Sequence, residues 1–322
     1  MKILKKDKNC SIIIPVYNGE TTILETLNSL YNQSIPFEEL IIINDCSTDH
    51  SMVLIYDFFK DKKNDFKIIN HSECFGLAYS YNEGIKISKN DLIITLHDDI
   101  ILEKDALKKL MEPFNYDSEV LASFPATEYP YQFWEKYNFW EKVFFARFVN
   151  KKCYNLDGKF NCFKKVALEK VKLFDEFSFR TAGEDGDMFF KLSKIGKIVK
   201  TESTIIHLHK VDQKFNYKDI IHKQAQISEA QGVLLRKGRI KSFVGFVKTF
   251  FREIIIIMLF IPYIRIIASL LIVFYSFFYT KLIYVKVFKD PRCLILPFFN
   301  ILLLFISFFY VCEGFISGKQ KI

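Results

Sequence analysis

The chain has 322 residues, of which 50% are apolar and 25% charged, so a disordered protein is excluded and one large domain with an appendage, or two modest domains, can be accommodated. The formal net charge is +8, but most of the positive charge lies near the C-terminus, where ten Lys or Arg residues from Lys241 onwards face three acidic ones. The first 240 residues are therefore almost neutral. A basic surface that binds nucleic acid is not expected on them.

The first hundred residues alternate short apolar runs with segments of helical spacing. The strand-like runs are 11–18, 39–44, 66–70 and 91–96, and the helix-like segments are 21–33, 78–88 and one that starts near residue 51. This alternation predicts an α/β fold with a mostly parallel sheet and helices on both faces. Ligands of such sheets bind beyond the carboxyl ends of the strands.

Polar residues follow three of these strands, namely Asn18, Asp45 and the cluster His97–Asp99, and we expect them to converge on one crevice. Asp45 is also compatible with a plain turn or helix cap, and the adjacent acids with a solvated turn. Neighbouring acids at the end of a buried strand equally suit a hard divalent cation. Such a cation would neutralise the charge on a departing phosphate. On these residues alone both interpretations stay open.

A series of motifs then runs in order from Ser11 to His209. The motifs are SIIIPVYN, IINDCSTD, FGLAYSYNEGI, LHDDI, FNCFKKVALEKVKLFDE with GEDGDMFFKL, and STIIHLH. Together they resemble glycosyltransferase family 2 and its GT-A fold. The resemblance implies an enzyme that transfers a sugar from a nucleotide-diphosphate sugar, with a UDP-sugar favoured, and inverts the anomeric centre by a single in-line displacement.

The same resemblance implies roles for the matching residues. Asp185 would be the general base that deprotonates the acceptor hydroxyl, and Glu184 would position the acceptor or support the base. Asp99 would bind Mg²⁺ or Mn²⁺ on the donor diphosphate, with His207 helping and His209 as a less favoured substitute. The residues that match nucleotide-sugar-binding positions are Pro15, Tyr17, Asn18, Glu20, Asp45, Gly76, Asn82, His97 and Asp98. Taken alone, GEDGD is equally compatible with a charged helix start.

The chain departs from the family pattern at two positions. His97 stands where the first Asp of the DxD motif is usual, and Asn44 stands where a second Asp is common. A neutral His can ligate a metal, but it lowers the negative charge of the site and weakens Mg²⁺ binding. The alternative to an enzyme is therefore a non-catalytic nucleotide-sugar-binding membrane scaffold. A processive polysaccharide synthase is less favoured, because neither Trp belongs to a QxxRW motif.

Two hydrophobic segments near the C-terminus predict attachment to a membrane. Ile254–Tyr279 has 26 residues with one charge, Arg265, and Leu294–Cys312 has 19 residues with none. Both are long enough to span a bilayer. Arg265 and the nearby Pro262 favour a kinked, re-entrant or interfacial first segment over a straight span.

These observations predict three regions: a catalytic domain at 1–212, an amphipathic helical linker at 213–250 and a membrane-associated region at 251–322. The N-terminal apolar run is too short for the core of a signal peptide, so we expect the catalytic domain on the cytoplasmic side. A membrane-attached enzyme has its highest effective concentration near lipids. The expected acceptor is therefore a lipid-linked or other membrane-borne glycan.

Two further patterns carry weaker expectations. Aromatic residues between 131 and 148 recur at three- and four-residue spacing, which predicts one amphipathic helix that either faces a membrane or packs in the core. The seven cysteines form no CxxC pair and no zinc-like cluster, so we expect buried free thiols in a reducing compartment.

Overall fold

A computed structural model describes residues 9–62, 66–208, 215–240 and 242–321. The chain divides into two compact units. The sheet unit comprises Met1–Pro130, Asn150–Glu176 and Glu184–Val211, and the helical unit comprises Tyr131–Val149, Phe177–Gly183 and Asp212–Ile322. The division predicted from the sequence, with boundaries after residues 212 and 250, stays a prediction.

The sheet unit contains nine strands in the described residues. They are β1 (Cys10–Val16), β2 (Glu39–Asn44), β3 (Phe66–Asn70), β4 (Leu92–Leu96), β5 (Ile100–Leu102), β6 (Val120–Glu128), β7 (Lys152–Tyr154), β8 (Phe160–Lys164) and β9 (Lys197–His207). The order is β3-β2-β1-β4-β8-β6-β9-β5, with β7 paired to β6.

The sheet is mixed, so the expectation of a mostly parallel sheet is wrong. Strands β3, β2, β1 and β4 are parallel neighbours. Strand β8 is antiparallel to both β4 and β6, whereas β9 is parallel to β6 and antiparallel to β5. The sequence pattern did not reveal this because an apolar run predicts a buried strand without fixing its direction.

The helices alternate with these strands and then follow them. They are α1 (Ile23–Tyr31), α2 (Ser51–Phe59), α3 (Leu77–Ile87), α4 (Ala106–Met111), α5 (Pro113–Tyr116), α6 (Tyr131–Trp134), α7 (Phe139–Phe145), α8 (Lys165–Lys170), α9 (Glu184–Leu192), α10 (Tyr217–Arg236), α11 (Phe243–Thr249), α12 (Phe251–Leu259), α13 (Arg265–Phe278), α14 (Lys281–Lys286) and α15 (Leu296–Ser317). The short 3₁₀ helix Pro291–Ile295 leads into α15.

The apolar strands are buried on both faces. Every residue of β1 and β2 is buried. Ile12 and Ile14 belong to one hydrophobic cluster and Ile13 to the other. Because successive side chains of a strand point to opposite faces, the two clusters lie on opposite sides of the sheet. Both faces are therefore covered, as the continuous apolar runs predicted.

In the helical unit, α10 and α15 approach each other closely at two glycines. A Cβ built on Gly232 would lie 2.1 Å from the Val311 carbonyl oxygen, and one built on Gly314 would lie 2.0 Å from the Glu229 carbonyl oxygen. A short polar chain lies beside this contact: Ser228 Oγ is 2.9 Å from Ser307 Oγ. The Ser307 hydroxyl in turn donates to Glu253. The interior of this unit is thus partly polar.

The two predicted hydrophobic segments differ in structure. The first is divided between α12 and α13, with Pro262 in the turn between them, so it is not one straight helix. Helix α13 has 14 residues, and at about 1.5 Å per residue it is too short to cross a hydrocarbon core of about 30 Å. The second segment lies in Pro291–Ser317, which is the one described helix long and apolar enough to cross a membrane.

The aromatic stretch 131–148 forms the two short helices α6 and α7, so the expectation of one continuous helix is wrong. The break is at Asn138, whose side chain accepts hydrogen bonds from the first turn of α7 and forms a capping box with Glu141. Trp134, Phe139 and Phe145 are buried, which favours core packing over a membrane face for this stretch.

Candidate active site

The carboxyl ends of β1, β2 and β4 lie at one edge of the sheet, because β1 is the parallel neighbour of both other strands. The loop after β1 contacts both neighbouring loops. The Asn18 N–H donates to Ser47 Oγ at 3.1 Å. A Cβ built on Gly19 would lie 2.4 Å from Asp98 Oδ2, so only glycine fits there without displacing the acid. The polar ends of the three strands therefore form one continuous rim.

Asp45 connects two loops of this rim. Its carboxylate accepts the backbone N–H groups of Phe75 and Gly76, each at 2.8 Å. His71 Nδ1 lies 2.8 Å from the same carboxylate, and His71 Nε2 lies 2.5 Å from Glu83. Burial alone lowers the pKa of His71, but the hydrogen bonds to the two carboxylates outweigh it and raise that pKa. Asp45 is thus held rigidly at the start of α3.

A disulfide joins Cys46 and Cys74, whose Cα atoms are 5.3 Å apart although the residues are 28 positions apart in sequence. The expectation of free thiols is wrong for this pair. Its members lie in loops that follow the neighbouring strands β2 and β3, a proximity that their sequence spacing does not reveal. The other described cysteines, Cys10, Cys153, Cys162, Cys293 and Cys312, form no disulfide.

Asp99 lies between two imidazoles. His207, the last residue of β9, has its Nε2 3.1 Å from Asp99 Oδ2. His97 Nδ1 lies 4.0 Å from Asp99 Oδ1. Burial lowers the pKa of His97 to about 4, against the opposing effect of Asp99, so this ring is neutral at physiological pH. His97 Nε2 is a buried atom without a hydrogen-bond partner among the described residues.

No group of three or more His, Cys, Asp or Glu side chains in the described part of the chain is arranged to hold a metal ion. Mg²⁺ and similar ions are usually held by one or two carboxylates together with substrate phosphates and water. Asp99 can supply a carboxylate and His207 an imidazole nitrogen, whereas the unpartnered His97 Nε2 lies beside Gly158. The residues therefore fit a cation that is bound together with a diphosphate.

Glu184 and Asp185 are the first two residues of α9. Burial, together with the charge of Asp185, raises the pKa of Glu184. Burial, together with the charge of Asp157, raises the pKa of Asp185. Glu184 is buried and Asp185 is half-buried, and two neighbouring acids in such surroundings do not both ionise easily. An acid with a raised pKa is suited to accept a proton.

Four residues beside these acids were not identified from the sequence. The Tyr81 hydroxyl donates to the Gly158 carbonyl at 3.1 Å, and Lys159 donates to Asp157 at 2.6 Å. A Cβ built on Gly158 would lie 3.5 Å from His97 Nε2 and 3.8 Å from Glu184 Oε1. The segment Asp157–Lys159 therefore borders both the histidine and the acid pair. Its sequence, DGK, gives no more than a turn signal.

Several predicted nucleotide-sugar residues lie apart from this cluster. Pro15 is buried within β1. Tyr17 is exposed, and Glu20 accepts the His50 N–H at 2.9 Å. The Asn82 side chain donates to the Phe174 carbonyl at 2.9 Å and accepts the Phe174 N–H at 2.9 Å, so its amide is occupied in joining α3 to the loop after α8. His209 lies outside the described residues.

Comparison with known proteins identifies the family. The family model described as "Glycosyl transferase family 2" matches residues 11–172, which is half of the chain. The chain therefore belongs to glycosyltransferase family 2. The resemblance seen in the sequence is confirmed.

Among curated relatives, the poly-beta-1,6-N-acetyl-D-glucosamine synthase of Staphylococcus epidermidis is 36% identical over 104 residues, which cover 32% of this chain and 25% of that protein. The synthase of the same name from Staphylococcus aureus (strain COL) is 33% identical over 110 residues, which cover 34% of this chain and 26% of that protein. The similarity thus spans about a quarter of the length of these relatives.

Two solved structures share the fold. A mannosyltransferase, PcManGT from Pyrobaculum calidifontis, in complex with GDP-Man and Mn²⁺, has a TM-score of 0.62 at 14% identity, over 94% of this chain and 88% of that one. GalNAc-T7 with UDP, GalNAc and Mn²⁺ has a TM-score of 0.51 at 14% identity, over 70% of this chain and 51% of that one. The sheet unit accordingly has a GT-A-like mixed sheet.

Proposed function

We propose that this glycosyltransferase is attached to a membrane and transfers a sugar from a nucleoside-diphosphate sugar to a hydroxyl or phosphate group of a lipid-linked or other membrane-borne glycan. The observation that carries the proposal is the arrangement of one rim: Asp99 and His207 lie 3.1 Å apart, and Gly158 borders both His97 and the acid Glu184. The proposal assigns Asp99 and His207 to the donor phosphates and the acid pair at the start of α9 to proton transfer.

In the proposed reaction, Asp185 accepts the proton of the acceptor hydroxyl as the new glycosidic bond forms. An alcohol is a weak nucleophile, so a carboxylate within hydrogen-bond reach assists the attack. We propose that Glu184 keeps its proton, because it is the more deeply buried of the two acids and burial raises its pKa. Protonated Glu184 leaves Asp185 as the ionised member of the pair, which is the form that can act as the base.

We propose Asp99 and His207 as the residues that would hold a divalent cation on the donor diphosphate. A bound cation would neutralise the charge that develops on the leaving nucleoside diphosphate. Support comes from the two solved neighbours of similar fold, both described with Mn²⁺. Nitrogen ligands are better tolerated by Mn²⁺ than by Mg²⁺, so the two histidines beside Asp99 favour Mn²⁺.

For the donor we favour a UDP-sugar. The curated relatives are named as synthases of an N-acetylglucosamine polymer, and one solved neighbour is described with UDP. We propose that the nucleotide of the donor binds against Asp45, Gly76 and Asn18. This chain lacks the QxxRW motif, so we propose transfer of single sugars to the acceptor instead of processive polymer synthesis.

For the location, we propose a membrane-attached protein with its catalytic unit on the cytoplasmic side. The apolar helix within Pro291–Ser317 supports the attachment. The Cys46–Cys74 disulfide weighs against the cytoplasmic assignment, because disulfides are rare in cytosolic proteins.

Calorimetric titration of the full chain in detergent with UDP, GDP and dTDP, each with Mn²⁺ and with EDTA, tests the proposal. We expect UDP to bind most tightly and to lose most of its affinity in EDTA. In Asp99→Ala the remaining affinity should no longer depend on the metal. Absence of binding by all three diphosphates, or a metal titration unaffected by Asp99→Ala, would contradict the donor site.

A further inference from the structure

The ammonium group of Lys159 has unused hydrogen-bonding capacity. It donates to Asp157 Oδ2 at 2.6 Å, and its other two N–H donors have no acceptor among the described residues. The Lys159 side chain is only 16% exposed. A lysine ammonium has three N–H donors, so two of those of Lys159 remain able to bind a further acceptor.

The position of Lys159 indicates where such an acceptor would lie. The His97 N–H donates to the Lys159 carbonyl at 2.9 Å, so the two residues are neighbours across the strand ends. The preceding Gly158 has φ of 76°, a left-handed value, and borders His97 and Glu184. The charge of Lys159 partly offsets the rise that burial causes in the pKa of Glu184 and of Asp185. Lys159 is thus a cation inside the reaction centre.

The chemistry of these N–H donors favours a phosphate. An ammonium group on a flexible stem is a common point-charge partner of phosphate oxygens. Asp157 holds this group in place without using all of its donors.

We propose that Lys159 binds a phosphate oxygen of a substrate at the reaction centre. The proposal rests on the glycosyl transfer proposed above, and the phosphate has two possible sources: the diphosphate of the donor and the phosphate of a polyprenyl-phosphate acceptor. In either case Lys159 is a substrate-binding residue, and its role is separate from that of Asp185 as the base.

Lys191 provides a matched control. Its side chain is also 16% exposed and pairs with an aspartate, Asp187, at 3.2 Å. Unlike Lys159, it has a second acceptor, the Leu173 carbonyl at 2.6 Å. Lys159→Met and Lys191→Met therefore remove equally exposed lysines, each paired with an aspartate, of which only Lys159 follows the glycine that borders His97 and Glu184. Lys159→Arg keeps the charge, and Asp157→Asn combined with Lys159→Met avoids leaving a carboxylate unpaired if the single variant does not fold.

The experiment measures the affinity of the full chain for UDP, UMP, inorganic pyrophosphate, and vesicles containing polyprenyl phosphate or polyprenol. If the donor is the source of the phosphate, Lys159→Met lowers the affinity for UDP and for pyrophosphate at least tenfold and the affinity for UMP much less. The reason is that a hydrogen bond to a charged group contributes about 1.5–3 kcal/mol. If the acceptor is the source of the phosphate, Lys159→Met changes only one result: the protein binds vesicles with polyprenyl phosphate less strongly in comparison with vesicles that contain polyprenol. Lys159→Arg should recover part of the loss in either case.

Equal behaviour of Lys159→Met and Lys191→Met in every arm would overturn the proposal and leave Lys159 with a structural role. Failure of wild-type protein to bind UDP, GDP or dTDP would instead contradict the proposed donor site. The pyrophosphate and polyprenyl-phosphate arms would still report on Lys159 in that case, because neither probe contains a nucleotide base.

Discussion

The sheet unit and the helical unit place their polar and apolar side chains in opposite ways. The sheet unit buries its isoleucines on both faces of the sheet and gathers its acids at the strand ends. The helical unit exposes a stripe of apolar side chains on α13, where Ile266, Leu270 and Phe274 are 71%, 66% and 63% exposed, and buries Ser228, Glu253 and Ser307.

This difference indicates that the surfaces of the two units are suited to different surroundings, water for one and lipid for the other. A surface rich in exposed apolar side chains is unfavourable in water and suits lipid. Buried serine and glutamate side chains bonded to one another are a common means of joining helices where the exterior is apolar. The sheet unit instead packs its apolar side chains into two buried clusters. Substitutions in the two units should therefore affect different properties of the protein.

The largest expected effect is on catalysis in the sheet unit. Asp185→Asn removes the proposed base, and turnover should fall by about 10²–10⁴-fold while UDP affinity stays within a few-fold. Burial raises the pKa of Asp185, and the protonated form cannot accept a proton. As the pH is lowered, turnover should therefore begin to fall at a higher pH than it would with an aspartate of ordinary pKa. Initial rates and calorimetry on the same preparation measure both quantities.

Asp187→Asn, two residues along α9, is the matched control. Asp187 is buried and paired with Lys191, so this variant should lose stability and keep its turnover per folded molecule. If Asp185→Asn keeps turnover within tenfold of wild type, or loses UDP binding, the assignment of the base is wrong.

A smaller effect is expected on the stability of the helical unit. Gly232→Ala would place a Cβ 2.1 Å from the Val311 carbonyl oxygen, and backbone cannot yield as a side chain can. Forcing α10 and α15 apart should cost about 1–3 kcal/mol of unfolding free energy. Thermal unfolding in detergent, followed by helical circular dichroism, measures the change.

Gly245→Ala tests whether the close helix contact is the cause. Gly245 lies in α11, and a Cβ there would meet only the Ser242 hydroxyl at 2.7 Å, which can rotate. Gly→Ala within an exposed helix is otherwise favourable by roughly 0.5–1 kcal/mol. Equal melting temperatures for Gly232→Ala and Gly245→Ala would exclude the close approach of α10 and α15 as a determinant of stability.

The parallel half of the sheet could be predicted from the sequence because its strands are local apolar runs. The runs 39–44 and 66–70 coincide with β2 and β3, the run 91–96 contains β4, and the run 11–18 covers all of β1 except Cys10. The antiparallel half could not be predicted in the same way. Strands β5 and β7 have three residues each, and the direction of β8 is set by partners distant in sequence.

The candidate site divides in the same way. Asp45, Asp99 and Asp185 stand in motifs that the resemblance made recognisable, and their roles stay predictions. Lys159 could not be found, because a lysine in a DGK turn has no signal until the fold shows that its ammonium is buried beside the acids. The partner of Cys46 was equally hidden, since only the pairing of β2 with β3 brings Cys74 near.

The smallest expected effect concerns the apolar stripe of α13. Phe274→Ser with Phe277→Ser removes two rings that are more than half exposed. If α13 lies in the membrane interface, each ring contributes about 1 kcal/mol, and the partition of the full chain into vesicles should fall roughly fivefold per ring. Tyr116→Ser with Phe189→Ser removes two exposed rings from the sheet unit and should leave the partition into vesicles unchanged.

The same loss in both double variants would mean that exposed rings act non-specifically, and no loss in either would mean that α13 is not in contact with lipid. A loss confined to the α13 variant would establish that the exposed apolar face belongs to the membrane-bound side of the protein.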